Sequence, residues 1–298
     1  MRVWTLAPAK VNWALEVLRR RDDGDHEVVT VLQTLDLADR VVVSPDEELR
    51  LSVRGRVEGL PAAPEENLAL RAATALLDAA GGEARGALIE LEKIVPAGAG
   101  LGGGSSDAAA VLRALNALWG LGLSVQELAS IGAKLGADIP FFLHGGTARA
   151  GGRGEEVTPL PEAPPCRLLL VVPHVLVPQK TALMYSRLTS EHYTDGGRAA
   201  ALAEKLRSGG PVSDGDLYNV FESVVSDVVP AAAGAMTLAG RIGSNRPHLA
   251  GSGPSFFFLL CPGEATQEHL DRLAAAGFDL FLVGTLGASL ATALHVED

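Results

Sequence analysis

The chain has 298 residues, enough for one large domain or two small ones. Apolar residues make up 47% of it and charged residues 20%, which supplies a packed core and excludes extended disorder and collagen-like fibres. The 36 acidic residues outnumber the 25 basic ones, and the formal net charge of −11 argues against nucleic acid and anionic membranes as partners. An anionic small-molecule substrate stays possible, because a magnesium ion and a few placed donors neutralise phosphates locally.

Cysteine usage and the amino terminus bear on the cellular compartment. Cys166 and Cys261 are too few for a disulfide scaffold, and neither belongs to a C-x-x-C pair or a zinc-type cluster. The first ten residues lack the apolar core of a signal peptide, and no stretch reaches about 18 uninterrupted apolar residues. We therefore expect a reduced, cytoplasmic protein whose cysteines are small apolar residues in or near strands.

The first predicted elements mix strands and a helix. A β-branched run at residues 40–45 and an alternating pattern at residues 49–53 predict a strand pair that turns at residues 46–48. Asn67 has the position of an N-cap for a helix that ends at residues 81–82, because apolar residues recur between them at helical spacing.

A glycine-rich loop follows the next predicted strand, which covers residues 87–92. Five glycines lie within residues 98–104, and Ser105, Ser106 and Asp107 then offer capping side chains to a helix. Such a loop binds anions, because glycine lets backbone N–H groups approach phosphate oxygens while the helix dipole favours negative charge. The sequence therefore predicts a phosphate site here.

Later segments predict a second structural unit. A capping box at residues 124–127 begins a helix that reaches Gly136, and Pro140 closes this element. Prolines clustered at residues 159–165 predict a domain boundary near residue 160. The second half then shows apolar strands at Leu168–Val172 and Phe256–Leu260 and helical stretches near residues 198–208, 216–240 and 265–276. We predict an α+β protein with an N-terminal domain at residues 1–160 and a C-terminal domain at residues 161–298.

The sequence around the glycine loop argues against two common classes of phosphate-binding loop. Residues 98–103 formally satisfy the dinucleotide fingerprint G-x-G-x-x-G, but that fingerprint normally ends the first parallel strand, and here an antiparallel-looking region comes first. The Walker pattern G-x-x-x-x-G-K-[ST] does not occur.

The string from Pro96 to Ala109 resembles the phosphate loop of the GHMP kinases, a superfamily named for its galactose, homoserine, mevalonate and phosphomevalonate members. Its form Gly-Leu-Gly-Gly-Gly-Ser-Ser-Asp-Ala-Ala is similar to that of the kinases of 4-diphosphocytidyl-2-C-methyl-D-erythritol. Residues 7–12, 19–27 and 136–141 are similar to further motifs of that family, in the same order. The resemblance covers almost the whole chain and implies a two-domain GHMP kinase fold with the active site in the cleft between domains.

The resemblance also implies an activity, the ATP-dependent phosphorylation of a hydroxyl of 4-diphosphocytidyl-2-C-methyl-D-erythritol on the methylerythritol phosphate route to isoprenoid precursors. Asp138 resembles the family's catalytic base and Lys10 its electrostatic partner. A lysine near a carboxylate keeps it ionised and stabilises charge on the transferred group. Without the surrounding motifs, Asp138 would be read as a helix-terminal surface carboxylate and Lys10 as a solvated charge.

For ATP, the resemblance implies contacts from the loop and from Asn67, for which helix capping alone is the alternative. Magnesium is the expected cofactor, because charge on the β- and γ-phosphates must be neutralised during transfer. Ser105 and Ser106 are the candidates for phosphate or magnesium contact, and Ser106 is the candidate metal ligand. The expected ATP-binding residues are Asn67, Pro96, Ala97, Gly98, Ala99, Gly100, Leu101, Gly102, Gly103, Gly104, Ser105 and Ser106.

For the acceptor, the resemblance implies that Asn12 faces the substrate hydroxyls, His26 reads the cytosine edge and Tyr185 stacks on the cytosine ring. The alternatives are a surface histidine and a tyrosine half-buried in helix packing. The chain departs from the family at Asp25, where a tyrosine usually forms the other side of the cytosine sandwich. A carboxylate offers no π face, and its charge would lie close to an anionic nucleotide.

Two alternatives to this function stay open. One is a sibling GHMP kinase that acts on homoserine or a mevalonate derivative, for which Asp25 is the main support. The other is a catalytically silent nucleotide-binding paralogue, against which the presence of both Lys10 and Asp138 argues. In each case we expect small-molecule ligands, no nucleic-acid or membrane partner, and a monomer or homodimer.

Overall fold

The structure is a computed structural model that describes residues 1–81, 86–175, 177–242, 246–260 and 267–297. Cys261 lies outside the described residues, and Cys166 is half-buried just before a strand. The described strands, in chain order, are β1 (Arg2–Arg20), β2 (His26–Asp46), β3 (Leu49–Gly55), β4 (Gly86–Lys93), β5 (Thr147–Gly151), β6 (Glu156–Pro159), β7 (Arg167–Val172), β8 (Tyr218–Asn219), β9 (His248–Leu249), β10 (Phe256–Leu260), β11 (Asp279–Gly284) and β12 (Leu294–Glu297).

Helices pack against both sheets that these strands form. In chain order they are α1 (Leu68–Ala79), α2 (Gly103–Leu118), α3 (Val125–Gly132), α4 (Ile139–His144), α5 (Lys180–Ser186), α6 (Gly197–Arg207), α7 (Val225–Val228), α8 (Pro230–Ile242), α9 (Gln267–Ala275) and α10 (Ala288–Ala291). The predicted α+β class is confirmed. Each helix of the described part is too short or too polar to span a bilayer.

The first sheet is organised around the long antiparallel pair β1 and β2. Its main path runs β12-β1-β2-β4-β3, while β5 joins the first half of β2, β6 joins β5, and β8 joins β1. Strands from the second half of the chain, β8 and β12, thus complete the sheet that the first half begins. The domain boundary near residue 160 stays a prediction.

The predicted pairing of residues 40–45 with residues 49–53 is wrong. Both segments are strands, but β4 lies between them, antiparallel to β2 and parallel to β3. Every second residue of β4 is buried, whereas no residue of β3 is fully buried. Burial therefore places the more apolar strand inside the sheet and leaves β3 at the edge, where unpaired backbone groups face solvent.

One face of this sheet is covered by the helix that follows the glycine loop. All residues from Ser106 to Leu115 of α2 are buried, and the alanines among them let the helix lie close to the sheet. A helix that is buried all round belongs in the centre of a domain. The helix predicted after the glycine loop is thus confirmed.

The second sheet, ordered β11-β7-β10-β9, explains the uninterrupted apolar run of β7. Leu168 and Leu170 enter one hydrophobic cluster, and Leu169 and Val171 enter another on the opposite face. Successive strand residues point to opposite faces, so a strand between two cores has no polar side to show.

The helices predicted at residues 67–81, 124–136 and 198–208 are confirmed by α1, α3 and α6, although α3 ends at Gly132 and not at Gly136. The helical stretch predicted near residues 216–240 is confirmed only in its second part, by α7 and α8, because its first part holds β8 and a short turn. The Asn219 side chain accepts a hydrogen bond from the backbone N–H of Phe221, and Pro230 begins a new helix, so the backbone is interrupted twice. Pro140 likewise lies in the first turn of α4 and does not close an element.

A buried ionic cluster joins the end of β4 to the N-terminal half of α2. Lys93 donates to the carboxylates of Asp39 and Asp107, and all three side chains are almost completely buried. Asp39 also accepts the backbone N–H groups of Ile94 and Val95, where the glycine loop begins. The cluster therefore fixes both ends of that loop.

Removal of one carboxylate should expose how much the fold depends on this cluster. Asp39→Ala leaves two buried backbone donors without their acceptor and leaves Lys93 with Asp107 alone, and should lower the free energy of unfolding by about 3–5 kcal/mol. Urea denaturation followed by circular dichroism measures the change. Asp78→Ala on the exposed face of α1 is the control and should stay within about 0.5 kcal/mol of the unmodified protein. Equal stabilities of the two variants would contradict the prediction.

Candidate active site

Two polar residues of β1, Lys10 and Asn12, lie buried in the wall of a cleft. Residues two apart in a strand share a face, so both side chains point the same way. The register of β1 against β2 shifts on either side of them, between Pro8 and Lys10 and between Asn12 and Ala14. Bulges of this kind bend a strand and redirect its side chains. Here they direct a lysine and an amide toward the cleft.

A chain of hydrogen bonds fixes these two side chains. Lys10 Nζ donates to Asn12 Oδ1 at 2.8 Å, Asn12 Nδ2 donates to Thr30 Oγ1 at 2.8 Å, and that hydroxyl donates to the carbonyl of Ala14 at 2.7 Å. The threonine thereby sets the amide orientation, so that the Asn12 oxygen faces the ammonium group. Thr30 lines the cleft and was missed by the sequence analysis.

Asp138 lies opposite Lys10, directly before α4. Its Oδ2 is 3.5 Å from Lys10 Nζ, and its side chain is 37% exposed toward the cleft, against 6% for the lysine. The carboxylate makes no capping hydrogen bond to α4, so its oxygens stay free to accept a proton. The structure thus brings together the two residues predicted to act as base and electrostatic partner.

The glycine loop forms the floor of the same cleft. Gly98, Gly100 and Gly102 all have positive φ, and with Ser105 they line the cavity, whose volume is about 700 Å³. Gly102 occupies the N-cap position of α2 in the left-handed conformation, without a side-chain cap. The predicted capping by Ser105, Ser106 and Asp107 is wrong, because the helix begins at Gly103 and all three residues lie inside it.

The other loop residues face different surroundings. Pro96, Ala97 and Ala99 line a cavity of about 530 Å³ on the far side of the loop, together with Arg56 and His174. Leu101 and Gly103 are buried, and Gly104 is exposed beside Leu68 at the start of α1. The loop is therefore a partition between two cavities.

Asn67 and Ser106 differ in how their polar atoms are satisfied. Asn67 caps α1, accepting the backbone N–H of Ala69 at 2.9 Å, which confirms the predicted cap. The Ser106 hydroxyl is buried and has no hydrogen-bond partner among the described residues. In that part of the chain, no three His, Cys, Asp or Glu side chains are grouped so that they could hold a metal ion.

Asp25, His26 and Tyr185 line a cavity of about 670 Å³ that adjoins the first. The rings of His26 and Tyr185 stack at 4.9 Å between centroids, and Tyr193, which was not predicted, meets His26 edge-on. Burial lowers the pKa of His26, with Arg20 adding to the effect, so the imidazole favours its neutral form. Burial raises the pKa of the Tyr185 phenol, which stays protonated.

At Asp25, where a ring was expected, the structure shows an ion pair. Arg153 Nη1 lies 3.4 Å from Asp25 Oδ2, and Arg153 Nε lies 3.3 Å from Glu155 Oε1. The planar guanidinium of Arg153 lines both adjoining cavities. The two carboxylates hold it at the mouth of the cleft, where it offsets the charge of Asp25.

Lys180, at the start of α5, is the main cleft residue that the sequence analysis missed. It is buried, and its Nζ donates to the carbonyls of Gly98 and Gly253. Burial, with the nearby Lys10 charge, lowers its pKa to about 8. Its position two residues after Val177–Pro178 was the signal available in the sequence. Lys10, Lys180 and Arg153 together make the cleft cationic in an acidic protein.

Comparison with known proteins agrees with this geometry. The GHMP kinases N terminal domain family matches residues 67–146, which contain the glycine loop and Asp138. A 4-diphosphocytidyl-2-C-methyl-D-erythritol kinase of Dehalococcoides mccartyi is 39% identical over 283 residues, covering 95% of this chain and 98% of that protein. The same-named kinase of Symbiobacterium thermophilum is 43% identical over 287 residues, with 93% and 98% covered. The chain belongs to the 4-diphosphocytidyl-2-C-methyl-D-erythritol kinase family.

Solved structures agree with the assignment. The crystal structure of a 4-(cytidine 5'-diphospho)-2C-methyl-D-erythritol kinase superposes with a TM-score of 0.75 at 37% identity, covering 95% of this chain and 99% of the other. A homoserine kinase from Cytophaga hutchinsonii superposes at 0.72 with 21% identity over 98% and 96% of the two chains. The second similarity is one of fold, and the GHMP kinase fold predicted from the sequence is confirmed.

Gly100 should be the loop position least tolerant of a side chain. A Cβ there would lie 2.2 Å from the carbonyl oxygen of Ala250 and 2.6 Å from that of Gly253, so the loop would have to move. Gly100→Ala should weaken ATP binding by about tenfold or more, since small displacements of a binding group are costly. Isothermal calorimetry with ATP and magnesium measures the change.

Gly120→Ala is the matched control for this variant. Gly120 also has positive φ, at 63°, but a Cβ there meets nothing within 4 Å. The control should lose about 1 kcal/mol of stability from backbone strain and keep its ATP affinity. Similar ATP affinities for the two alanine variants would show that close packing at Gly100 is irrelevant to binding.

Proposed function

We propose that the protein transfers the γ-phosphoryl group of ATP to a hydroxyl of 4-diphosphocytidyl-2-C-methyl-D-erythritol, a step of isoprenoid precursor synthesis by the methylerythritol phosphate route. The observation that carries the proposal is the Lys10–Asp138 pair, 3.5 Å apart above the glycine loop, in a chain whose relatives of the same name align over almost their full length. A phosphate loop alone would support nucleotide binding, and the pair adds the means for transfer.

The shape of the cleft suits an acceptor with a base at one end and an alcohol at the other. The cavity beside His26 and the cavity above the loop share Ala137, Arg153, Ala182 and Tyr185, so they form one continuous groove. We assign the base to the stacked rings of His26 and Tyr185. The diphosphate then passes Arg153, and the alcohol reaches Asn12 and Asp138.

Asp138 is the general base in this proposal. It takes the proton of the attacking hydroxyl as the oxygen bonds to phosphorus, and the bond between the γ-phosphorus and the leaving oxygen of ADP breaks in line. Lys10 faces the Asp138 carboxylate and stabilises negative charge on the moving group. Asn12, fixed by Thr30, positions the acceptor hydroxyl.

ATP lies with its phosphates against the backbone of residues 96–104 and the start of α2, where glycines permit close approach. Ser105 contacts a phosphate oxygen, and Asn67 lies near the nucleotide while it caps α1. Ser106 is the residue that we assign to magnesium, because its buried hydroxyl otherwise lacks a partner among the described residues. A magnesium ion would neutralise phosphate charge and take its remaining ligands from ATP and water, as this ion usually does.

Asp138→Asn tests the base. The amide keeps the shape of the side chain but cannot accept the proton, so turnover should fall by about 10²-fold or more. ATP affinity should change little, because Asp138 does not touch the loop floor in this assignment. A coupled assay for ADP release measures turnover at saturating ATP and acceptor, and calorimetry measures ATP binding.

Asp78→Asn serves as the matched control, since Asp78 lies exposed on α1 away from the cleft. It should have the turnover of the unmodified protein. If Asp138→Asn, folded as judged by circular dichroism, matched the control, Asp138 would not be the base.

Asp25→Tyr tests the acceptor. A ring at this position restores a stacking face on cytosine, and stacking of a base on an aromatic ring contributes about 1–3 kcal/mol. The Michaelis constant for the cytidine substrate should therefore fall by about ten- to a hundredfold, with ATP affinity unchanged. The measurement is the substrate dependence of turnover at saturating ATP and magnesium.

Asp25→Asn is the control, because it removes the charge and the Arg153 ion pair without adding a ring. If both variants changed the Michaelis constant equally, charge rather than stacking would explain the effect. An unchanged or higher constant for Asp25→Tyr would favour a sibling GHMP kinase whose acceptor carries no cytosine.

A further inference from the structure

Lys180 is a buried cation whose partners are all uncharged carbonyls. The side chain is 7% exposed, and Nζ donates to Gly98 of the glycine loop and to Gly253 of a turn in the second half of the chain. Within the described residues, no carboxylate pairs with it. Burial of an ammonium group without a counter-charge is costly, so an anion from outside the chain would be stabilised here.

The position of Lys180 gives that anion a place to bind. The residue lines the cleft cavity with Lys10 and Gly100. A lysine ammonium carries three donors, of which the two carbonyls take two, and one is left for a ligand. The cavity floor is the glycine loop, whose backbone suits phosphate oxygens.

Lys180 also joins the segments that enclose the cleft. Its two acceptors belong to the glycine loop and to the turn at residues 251–254, and the neighbouring Thr181 hydroxyl lies 2.9 Å from that of Ser252. A Cβ on Gly251 would lie 3.3 Å from Lys10 Nζ, so the same turn runs beside both lysines. A phosphate between the lysines would be held from both halves of the chain.

We propose that Lys180 is a phosphate-binding residue that donates a charge-assisted hydrogen bond to a nucleoside diphosphate or triphosphate in the cleft. This inference rests on the proposed function for treating the cleft as a nucleotide site. The phosphate belongs either to ATP or to the diphosphate of the cytidine acceptor, and the two sources can be separated by experiment.

Proton uptake on binding provides a readout that a purely structural lysine would not give. The pKa of Lys180 is lowered to about 8 by burial and by Lys10, so at pH 8 the free protein carries this proton about half the time. A bound phosphate raises that pKa, and about half a proton should be taken up per nucleotide at pH 8 and almost none at pH 6. The other titratable or charged groups that face this cavity are Lys10, Asp138, Arg153 and Tyr185.

The experiment is calorimetry at pH 8 in buffers of different ionisation enthalpy, with ATP plus magnesium in one arm and cytidine diphosphate in the other. Lys180→Met should weaken binding of the responsible nucleotide by about ten- to a hundredfold and abolish its proton uptake. Lys180→Arg keeps the charge and never deprotonates in this range, so it should lose less affinity while also abolishing the uptake. Lys205→Met, at a surface lysine paired with Asp216, should behave as the unmodified protein.

If the weaker binding and the loss of proton uptake both appear with ATP, the phosphate belongs to ATP. If both appear with cytidine diphosphate, the phosphate belongs to the acceptor. No proton uptake by the unmodified protein with either nucleotide would overturn the proposal, as would uptake that persists in Lys180→Arg. Because Lys180→Arg and the unmodified protein suffice for this judgement, misfolding of Lys180→Met would not obscure it. Binding needs no turnover, so failure to phosphorylate the acceptor would overturn the proposed function and leave this result standing.

Discussion

The geometry of the cleft depends on the buried contact of Lys93 with Asp39 and Asp107. Asp39 holds the backbone where β4 becomes the glycine loop, and Asp107 holds the N-terminal half of α2, shortly after the loop ends. The loop between them is rich in glycine, and its apolar side chains Val95, Ala99 and Leu101 are buried in the core. Flexible backbone can serve as a binding surface only if its ends are fixed, since the cost of ordering it would otherwise fall on the ligand.

The same cluster shows why the interior tolerates two carboxylates beside one lysine. Burial raises the pKa of Asp107, although attraction by Lys93 opposes the shift. Asp39, in contrast, accepts hydrogen bonds from two backbone N–H groups as well as from the ammonium group. The two acids therefore have different surroundings despite sharing one cation. Asp39 fixes the start of the loop through backbone hydrogen bonds, whereas Asp107 is held in place as part of α2.

Charge is distributed unevenly between the cleft and the rest of the molecule. The chain is acidic overall, yet Lys10, Lys180 and Arg153 all line the groove. Each is restrained differently: Lys10 by Asn12 and Asp138, Lys180 by two carbonyls, and Arg153 by Asp25 and Glu155. Cations already held in place need little reorganisation when a phosphate arrives, which is the condition under which electrostatic stabilisation is most effective. The net charge of the whole chain therefore did not indicate the charge of the ligand that the cleft suits.

Elements governed by local pattern were predictable from the sequence, and those governed by distant contacts were not. The Asn67 cap, the Ser124 capping box and the apolar run of β7 depend on neighbours in sequence, and all three are confirmed. The position of β4 between β2 and β3 depends on which strand is buried best, which alternation in one segment cannot reveal.

The candidate site likewise contains residues that the sequence predicted and residues that it did not. Lys10 and Asp138 lie in motifs, and the resemblance located them, whereas Lys180 lies in a segment whose role is set by the turn at residues 251–254, far along the chain. Asp25 shows a second limit of prediction from the sequence. The sequence showed that a ring was missing, but the structure was needed to show that Arg153 pairs with the carboxylate that replaces it. A guanidinium plane stacks on bases as well as pairing with carboxylates. The loss of the ring therefore leaves a flat cation at the mouth of the groove, and the charge that made Asp25 unfavourable beside a diphosphate is offset by its own neighbour.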